Sequence, residues 1–441
     1  MKHKQGRRIF KWVAATLFVF FGASYLMIRA GYVPAPGFLV KQPALPPIPA
    51  ATRDGRWRQA VEYLGSQLPY LHVNPYFKVS EADFQRSVTE LVDQVPDLND
   101  EQIIVGMMQI VASIGDGHTR TYPNAEPVSF ASLPLEMRWL DDGLIVVAAS
   151  PGYIQAVGGK IIQIGDHTVE EVREAVTPLI PADNHMVILN DAPVYMATPA
   201  ILYGLNLIPE KDRVTFGFEA RDGSQFDLEL RSISSASEPF VSIYEKVGVP
   251  PPLYEQDRQS FYWFRHLPEE NIVYVQYNNC REQKDKPFQS FVDEVFGLVD
   301  RNPETRLVLD VRFNGGGNEA ILAPFIDAIK ARPSLNTTGN LFVIIGRGTY
   351  SSALQNAISL SLETNAILIG EPTGGKPNHY GELRNFRLPN VGLRVQYSTR
   401  YWLNYPEGDP LTLEPEITAV LTIDDLLAGR DPALETALSQ R

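Results

Sequence analysis

The sequence predicts a mixed α/β protein with a helical subdomain, a β-rich middle segment and an α/β core. Three observations carry this. Between Trp57 and Ile114, three stretches repeat their apolar residues at helical spacing. Short β-like runs follow at 144–148, 160–164, 214–218 and 226–230. From 271 onward, apolar strand-like runs alternate with helical stripes.

The chain has 441 residues, enough for two or three domains and a sizeable core. Its net charge of −13 argues against a nucleic-acid partner. The single cysteine, Cys280, permits neither an intramolecular disulfide nor a cysteine-based zinc cluster.

Residues 1–32 read as a signal-anchor or signal peptide. Lys2, Lys4, Arg7, Arg8 and Lys11 precede an apolar run from Trp12 to Ile28, which is just long enough to span a bilayer. The basic flank stays in the cytoplasm, which puts the body outside the inner membrane, in the periplasm or extracytoplasmic space. An uncleaved anchor is the favoured reading, with cleavage after Ala30 as the alternative. Residues 33–53 hold six prolines and no periodicity, so they are expected to form an extended, semi-rigid linker.

The helical subdomain is assigned to 54–130. Trp57, Val61 and Leu64 form its first stripe; Phe84, Val88, Leu91, Val92 and Val95 form the second, behind an N-cap at Ser80. The third, Ile103 to Ile114, is capped near Asn99 and ends in Gly115-Asp-Gly-His118-Thr119. A β-domain is assigned to 131–235, with a helix at 169–179 and an apparent insertion from Pro181 to Pro209. The α/β core takes 236–441. It closes with a strand at 417–423 and a helix starting at Asp431-Pro432.

The chemistry gathers in this core. The apolar run 341–345 reads as a buried strand ended by Gly346. Gly348-Thr-Tyr-Ser351-Ser352 follows, and Ala353, Leu354, Ala357, Ile358 and Leu362 then recur at helical spacing. A serine at such a strand-to-helix turn is either an N-cap or a nucleophile beside a helix N-terminus that favours oxyanion charge. Another strand, 306–311, runs into Asn314-Gly315-Gly316-Gly317, where glycines let backbone N–H groups approach a ligand. No Gly-Lys-Ser/Thr follows, which argues against a nucleotide P-loop. Gly370-Glu-Pro-Thr-Gly-Gly-Lys376 closes the set.

Together, the serine turn, the glycine loop, the Gly-Asp-Gly-His-Thr segment and Lys376 resemble the tail-specific, or C-terminal processing, serine peptidases. The likeness extends to their relatives in the tricorn protease core and to a retinoid-binding branch. It covers most of the chain from about Trp57, with the signatures in the same order. It implies a ClpP/crotonase-like catalytic core. Val157-Gly-Gly-Lys-Ile-Ile-Gln-Ile-Gly-Asp166 looks like the core of a PDZ-like domain, whose edge would capture an extended peptide by β-addition.

The resemblance assigns the nucleophile to Ser351, with Ser352 as runner-up. It assigns the oxyanion hole to the amides of Gly316 and Ser352. Two bases stay open. A buried Lys376 would serve a Ser-Lys pair, but that branch's acidic residue after the nucleophile is replaced by Leu354 and Gln355, and its glutamine by Tyr380. The tricorn-like alternative uses His118, oriented by a carboxylate upstream of Pro415-Glu416-Ile417 that spacing puts at Asp409. His118 is preferred, with Lys376 assisting and His379 the one other histidine of interest.

The expectation is a membrane-anchored, extracytoplasmic serine endopeptidase with a polypeptide substrate and no metal or organic cofactor. Its competitors are a catalytically silent hydrophobic-ligand or peptide-binding protein and an esterase. Substrate identity, C-terminal tail preference and oligomeric state are not legible in the sequence.

Overall fold

The computed structural model describes residues 41–233 and 239–440. The segment 1–32 read as an anchor lies outside the described residues, as do residues 33–40 of the linker. No helix among the described residues is long and apolar enough to cross a membrane. The described part of the linker has no regular structure from 41 to 50. It lies along the first helix, Arg53–Leu71, where Ala44 N–H donates to Gln67 Oε1 (2.7 Å) and Ala50 N–H to Gln59 Oε1 (3.0 Å).

The mixed α+β architecture stands as expected. Helices Arg53–Leu71, Glu81–Gln94 and Asp100–Ala112 form the helical subdomain. Ser80 caps the second by accepting from Asp83 N–H, and Asn99 and Gln102 close a reciprocal capping box on the third. Their stripes (Trp57, Val61 and Leu64; Phe84, Val88 and Leu91; Ile103, Met107 and Ile110) are buried in one core shared with the β-domain.

That β-domain is a seven-stranded antiparallel sheet centred on Gly143–Ala149, Lys160–Ile164 and Arg213–Glu219. The apparent insertion folds as two helices, His185–Met196 and Pro199–Gly204. Asn184 caps the first and also donates to the carbonyls of Thr373 (3.3 Å), Gly374 (3.0 Å) and Leu411 (2.8 Å). The insertion is thereby fastened to the α/β core.

The core sheet runs Tyr262–Leu267, Ile272–Tyr277, Arg306–Asp310, Leu341–Ile345, Ile367–Gly370, Ile417–Thr418. Its first pair is antiparallel and the rest parallel. Side chains alternate between two cores: Leu341, Val343 and Ile345 face one, Phe342 and Ile344 the other. Burial on both faces is why the run carries no polar residue. Each such side chain contributes about 1.5–3 kcal/mol on leaving water. The strand expected at 417–423 is only Ile417–Thr418. Thr422 instead caps a helix, Ile423–Ala428, by accepting from Asp425 N–H.

A hairpin, His379–Arg387 and Arg394–Trp402, pairs with Arg120–Thr121 just after His118. This small sheet carries one wall of the cleft where the site lies.

Candidate active site

Two loops leave the C-terminal ends of neighbouring parallel strands, where open α/β sheets bind ligands. One follows Arg306–Asp310 and holds the glycines; the other follows Leu341–Ile345 and holds the serines. Arg312 anchors the first. Its guanidinium binds Asp431 through both carboxylate oxygens (2.9 and 2.8 Å) and reaches Asp310, which also accepts from Tyr274 Oη (2.7 Å). Buried Thr349 fixes the second: its hydroxyl donates to Val311 O (2.9 Å) and accepts from Gly346 N–H (3.0 Å).

Ser351 sits at φ 51° and ψ −127°, a left-handed conformation that is costly for a residue with a Cβ. It occupies the N-cap of helix Ser352–Glu363, yet its side chain accepts no capping hydrogen bond. The capping explanation therefore fails for this serine. Its strained turn presents the side chain to an open cleft of about 1100 Å³. Ser352 differs: it is buried, and its hydroxyl donates to Gly317 O (3.0 Å). Among the described residues the Ser352 N–H has no acceptor.

Gly316 lies against this turn. A Cβ there would stand 2.7 Å from Ser351 Cβ and 3.0 Å from Ser352 N. Its own N–H, the amide expected to serve as an oxyanion donor, donates here to Asn314 Oδ1 (3.0 Å). Asn314 is fully buried and held by Tyr277 O (2.8 Å), so this short turn is firmly closed. The amides of Gly315 and Gly317, like that of Ser352, have no acceptor among the described residues.

His118 lines the same cleft. An Asp116 turn delivers it: His118 N–H donates to Asp116 Oδ1 (2.9 Å). The ring stacks on His379 (5.1 Å, 15°) and lies 4.6 Å from the Tyr350 ring, while neither ring nitrogen has a hydrogen-bond partner among the described residues. Burial, and then the charge of His379, push its pKa down to about 3 against the pull of Asp116. The imidazole is thus neutral near pH 7, as a proton acceptor must be.

Asp409 is not beside this histidine. It pairs with Lys376 (Nζ to Oδ2, 2.7 Å), because Asn378 donates to Tyr405 O and Gly408 O and draws the 405–409 loop onto the Lys376 turn. Neither Lys376 nor Asp409 lines the serine cleft. Lys376 contributes through its backbone: its carbonyl accepts from His379 Nδ1 (2.8 Å), which sets the ring that stacks on His118.

Among the described residues, the carboxylate within ion-pair range of His118 is Asp116, 4.0 Å from Nδ1. Burial raises the Asp116 pKa, but the hydrogen bond and charge of His72 outweigh it and hold the group well below the usual range. His72 Nδ1 accepts from Asn74 N–H, so its Nε2 proton points to Asp116 Oδ2 (3.0 Å). Asp183, from the insertion, accepts from Gly117 N–H and Tyr350 Oη (both 3.3 Å); burial and the Asp116 charge raise its pKa to about 6. Sequence reasoning passed over Asp116, Asp183, His72 and Tyr350. Only Asp116 and Tyr350 carried a signal, by lying inside motifs already singled out.

No protein-family model matches the chain, and no curated protein matches it in sequence. Among solved structures, mature CPAF complexed with lactacystin aligns with a TM-score of 0.61 at 11% identity. The alignment covers 87% of this chain and 97% of that one. Mature CPAF alone gives 0.58 at 12% identity, covering 87% and 96%. The chain shares the CPAF fold. The photosystem II D1 C-terminal processing protease aligns at 0.40 and 15% identity, over 88% of this chain and 97% of that one.

Proposed function

We propose that the chain is a serine peptidase that hydrolyses polypeptides through an acyl-enzyme on Ser351. The observation that carries this is the strained, uncapped Ser351 at a helix N-terminus, in one cleft with a neutral, unpartnered His118. In this reading His118 takes the Ser351 proton as the hydroxyl attacks the scissile carbonyl, then returns it to the leaving amine. Asp116 favours the imidazolium by charge. The Ser352 amide, with an amide of the glycine loop, receives the oxyanion. Lys376 and Asp409 form a supporting ion pair outside the proton path. The basic N-terminus and apolar run 12–28 support an inner-membrane anchor with the body outside the cytoplasm.

The test is digestion of a denatured, carboxymethylated protein, with Ser351→Ala as control and fragments read by mass spectrometry. Internal cleavages that vanish in the variant support the reading. Hydrolysis of acyl esters without any peptide cleavage would replace it with the esterase.

A further inference from the structure

We infer that the cleft selects acidic side chains near the scissile bond, an inference that rests on the peptidase reading above. The chain as a whole carries 39 basic against 52 acidic side chains. The lining of the Ser351 cleft reverses this: Arg120, Arg258, Arg281, Arg347, Arg394 and Arg400 face only Asp191, Glu319 and Glu382. All six cations are arginines, whose planar fork matches a carboxylate in a bidentate way that a lysine does not.

Some of these charges are already used. Arg347 pairs with Glu371 (2.5 Å), and Arg258 lies 3.6 Å from Glu255. Arg120, Arg281 and Arg394 have no carboxylate within ion-pair distance among the described residues.

Arg120 is the sharpest case. One Nη donates to Gly117 O (2.7 Å), while its buried Nε has no acceptor among the described residues. A buried cationic donor left unmatched is costly, and an incoming carboxylate would satisfy it. Its strand partner is Gln396, whose amide donates to His118 O (3.0 Å), so Arg120 stands on the wall that carries the base. Arg394 and Arg400 alternate with Gln396 on the same side of the hairpin, as the period of a strand requires. The arginine row thus runs along the cleft past His118, where an extended peptide would lie.

The experiment uses the full chain and a degenerate peptide library, acetylated and amidated in one arm and with free C-termini in the other. Cleavage positions are read by mass spectrometry. Asp and Glu are expected to be enriched roughly tenfold at one or more positions flanking the bond, in both arms. The Arg120→Gln/Arg394→Gln variant should lose that enrichment, read as the ratio of acidic to neutral residues at the cut positions within one digest. If the double variant does not fold, the exposed positions serve singly, Arg394→Gln and Arg281→Gln, each lowering the enrichment. Absence of enrichment, or enrichment unchanged in these variants, overturns the inference. Enrichment confined to free C-termini also overturns it, since the cleft would then read a terminal carboxylate. Fluorophosphonate labelling of the same preparation separates the two levels. Labelled but unselective protein sinks the inference alone; protein neither labelled nor cleaving sinks the peptidase reading with it.

Discussion

Replacing Gly316 by alanine places a methyl group 2.7 Å from Ser351 Cβ and 3.1 Å from Tyr350 O. Ordinary carbon–carbon contact begins at about 3.5 Å, so the two loops must part by close to 1 Å. Neither neighbour can rotate away, because a Cβ and a backbone oxygen move only with the main chain. Gly316 also sits at φ 106°, where a side chain adds about 1–3 kcal/mol of strain. A displacement of 1 Å at a reacting centre costs about 100-fold in rate. Gly316→Ala is therefore expected to react with a fluorophosphonate at Ser351 about 100-fold more slowly, with a melting temperature a few degrees lower. Gly315→Ala is the control: a Cβ there meets nothing within 4 Å, and its φ is not positive. Labelling of Gly316→Ala within threefold of the parent rate would refute this packing argument. So would a loss of equal size in Gly315→Ala.

Other expectations follow from neighbouring contacts. Ser352→Ala removes one hydroxyl bond, so it should lose about 1 kcal/mol in denaturant unfolding and keep its labelling on Ser351. Arg312→Ala strands Asp310 and Asp431 in the interior, and denaturant titration should show a loss of about 3–5 kcal/mol. Asp409→Ala breaks a half-exposed pair and should change stability by less than about 1 kcal/mol, with labelling retained. The His118 pKa is depressed from 6.5 to about 3, so its imidazole stays neutral as pH falls through 6.5 and takes a proton only near 3. By linkage this group alone disfavours folding progressively below pH 6.5, where the unfolded chain binds the proton first. The labelling rate should then show its acid limb well below 6.5. Asp183→Asn is the background for this measurement, because it removes the carboxyl that titrates at about 6. An acid limb at 6.5 in that background would contradict a buried, neutral base.

Much of the fold was legible because its determinants are local. Residues 341–345 are apolar without a break because both faces of the strand are buried, and Ser80 and Asn99 announce helices through their own side chains. The serine turn and glycine loop were legible for the same reason. What escaped depends on which distant segments meet. Nothing near Asp409 in sequence says that Asn378 will draw its loop to Lys376, and nothing near Gly316 says that Asn314 will take its amide. The hairpin left a signal that was passed over: residues 393–398 alternate apolar and polar side chains after a Pro-Asn-Val-Gly turn. The insertion's part in the site, through Asp183 and Asn184, rests on contacts 66 to 227 residues apart in the chain.

The most direct measurement is fluorophosphonate labelling of the folded protein with peptide mapping, run beside His118→Ala and Lys376→Ala. The account predicts a single adduct on Ser351, lost in His118→Ala and retained in Lys376→Ala. An adduct on Ser352, dependence on Lys376 instead of His118, or no adduct on correctly folded protein would each contradict it.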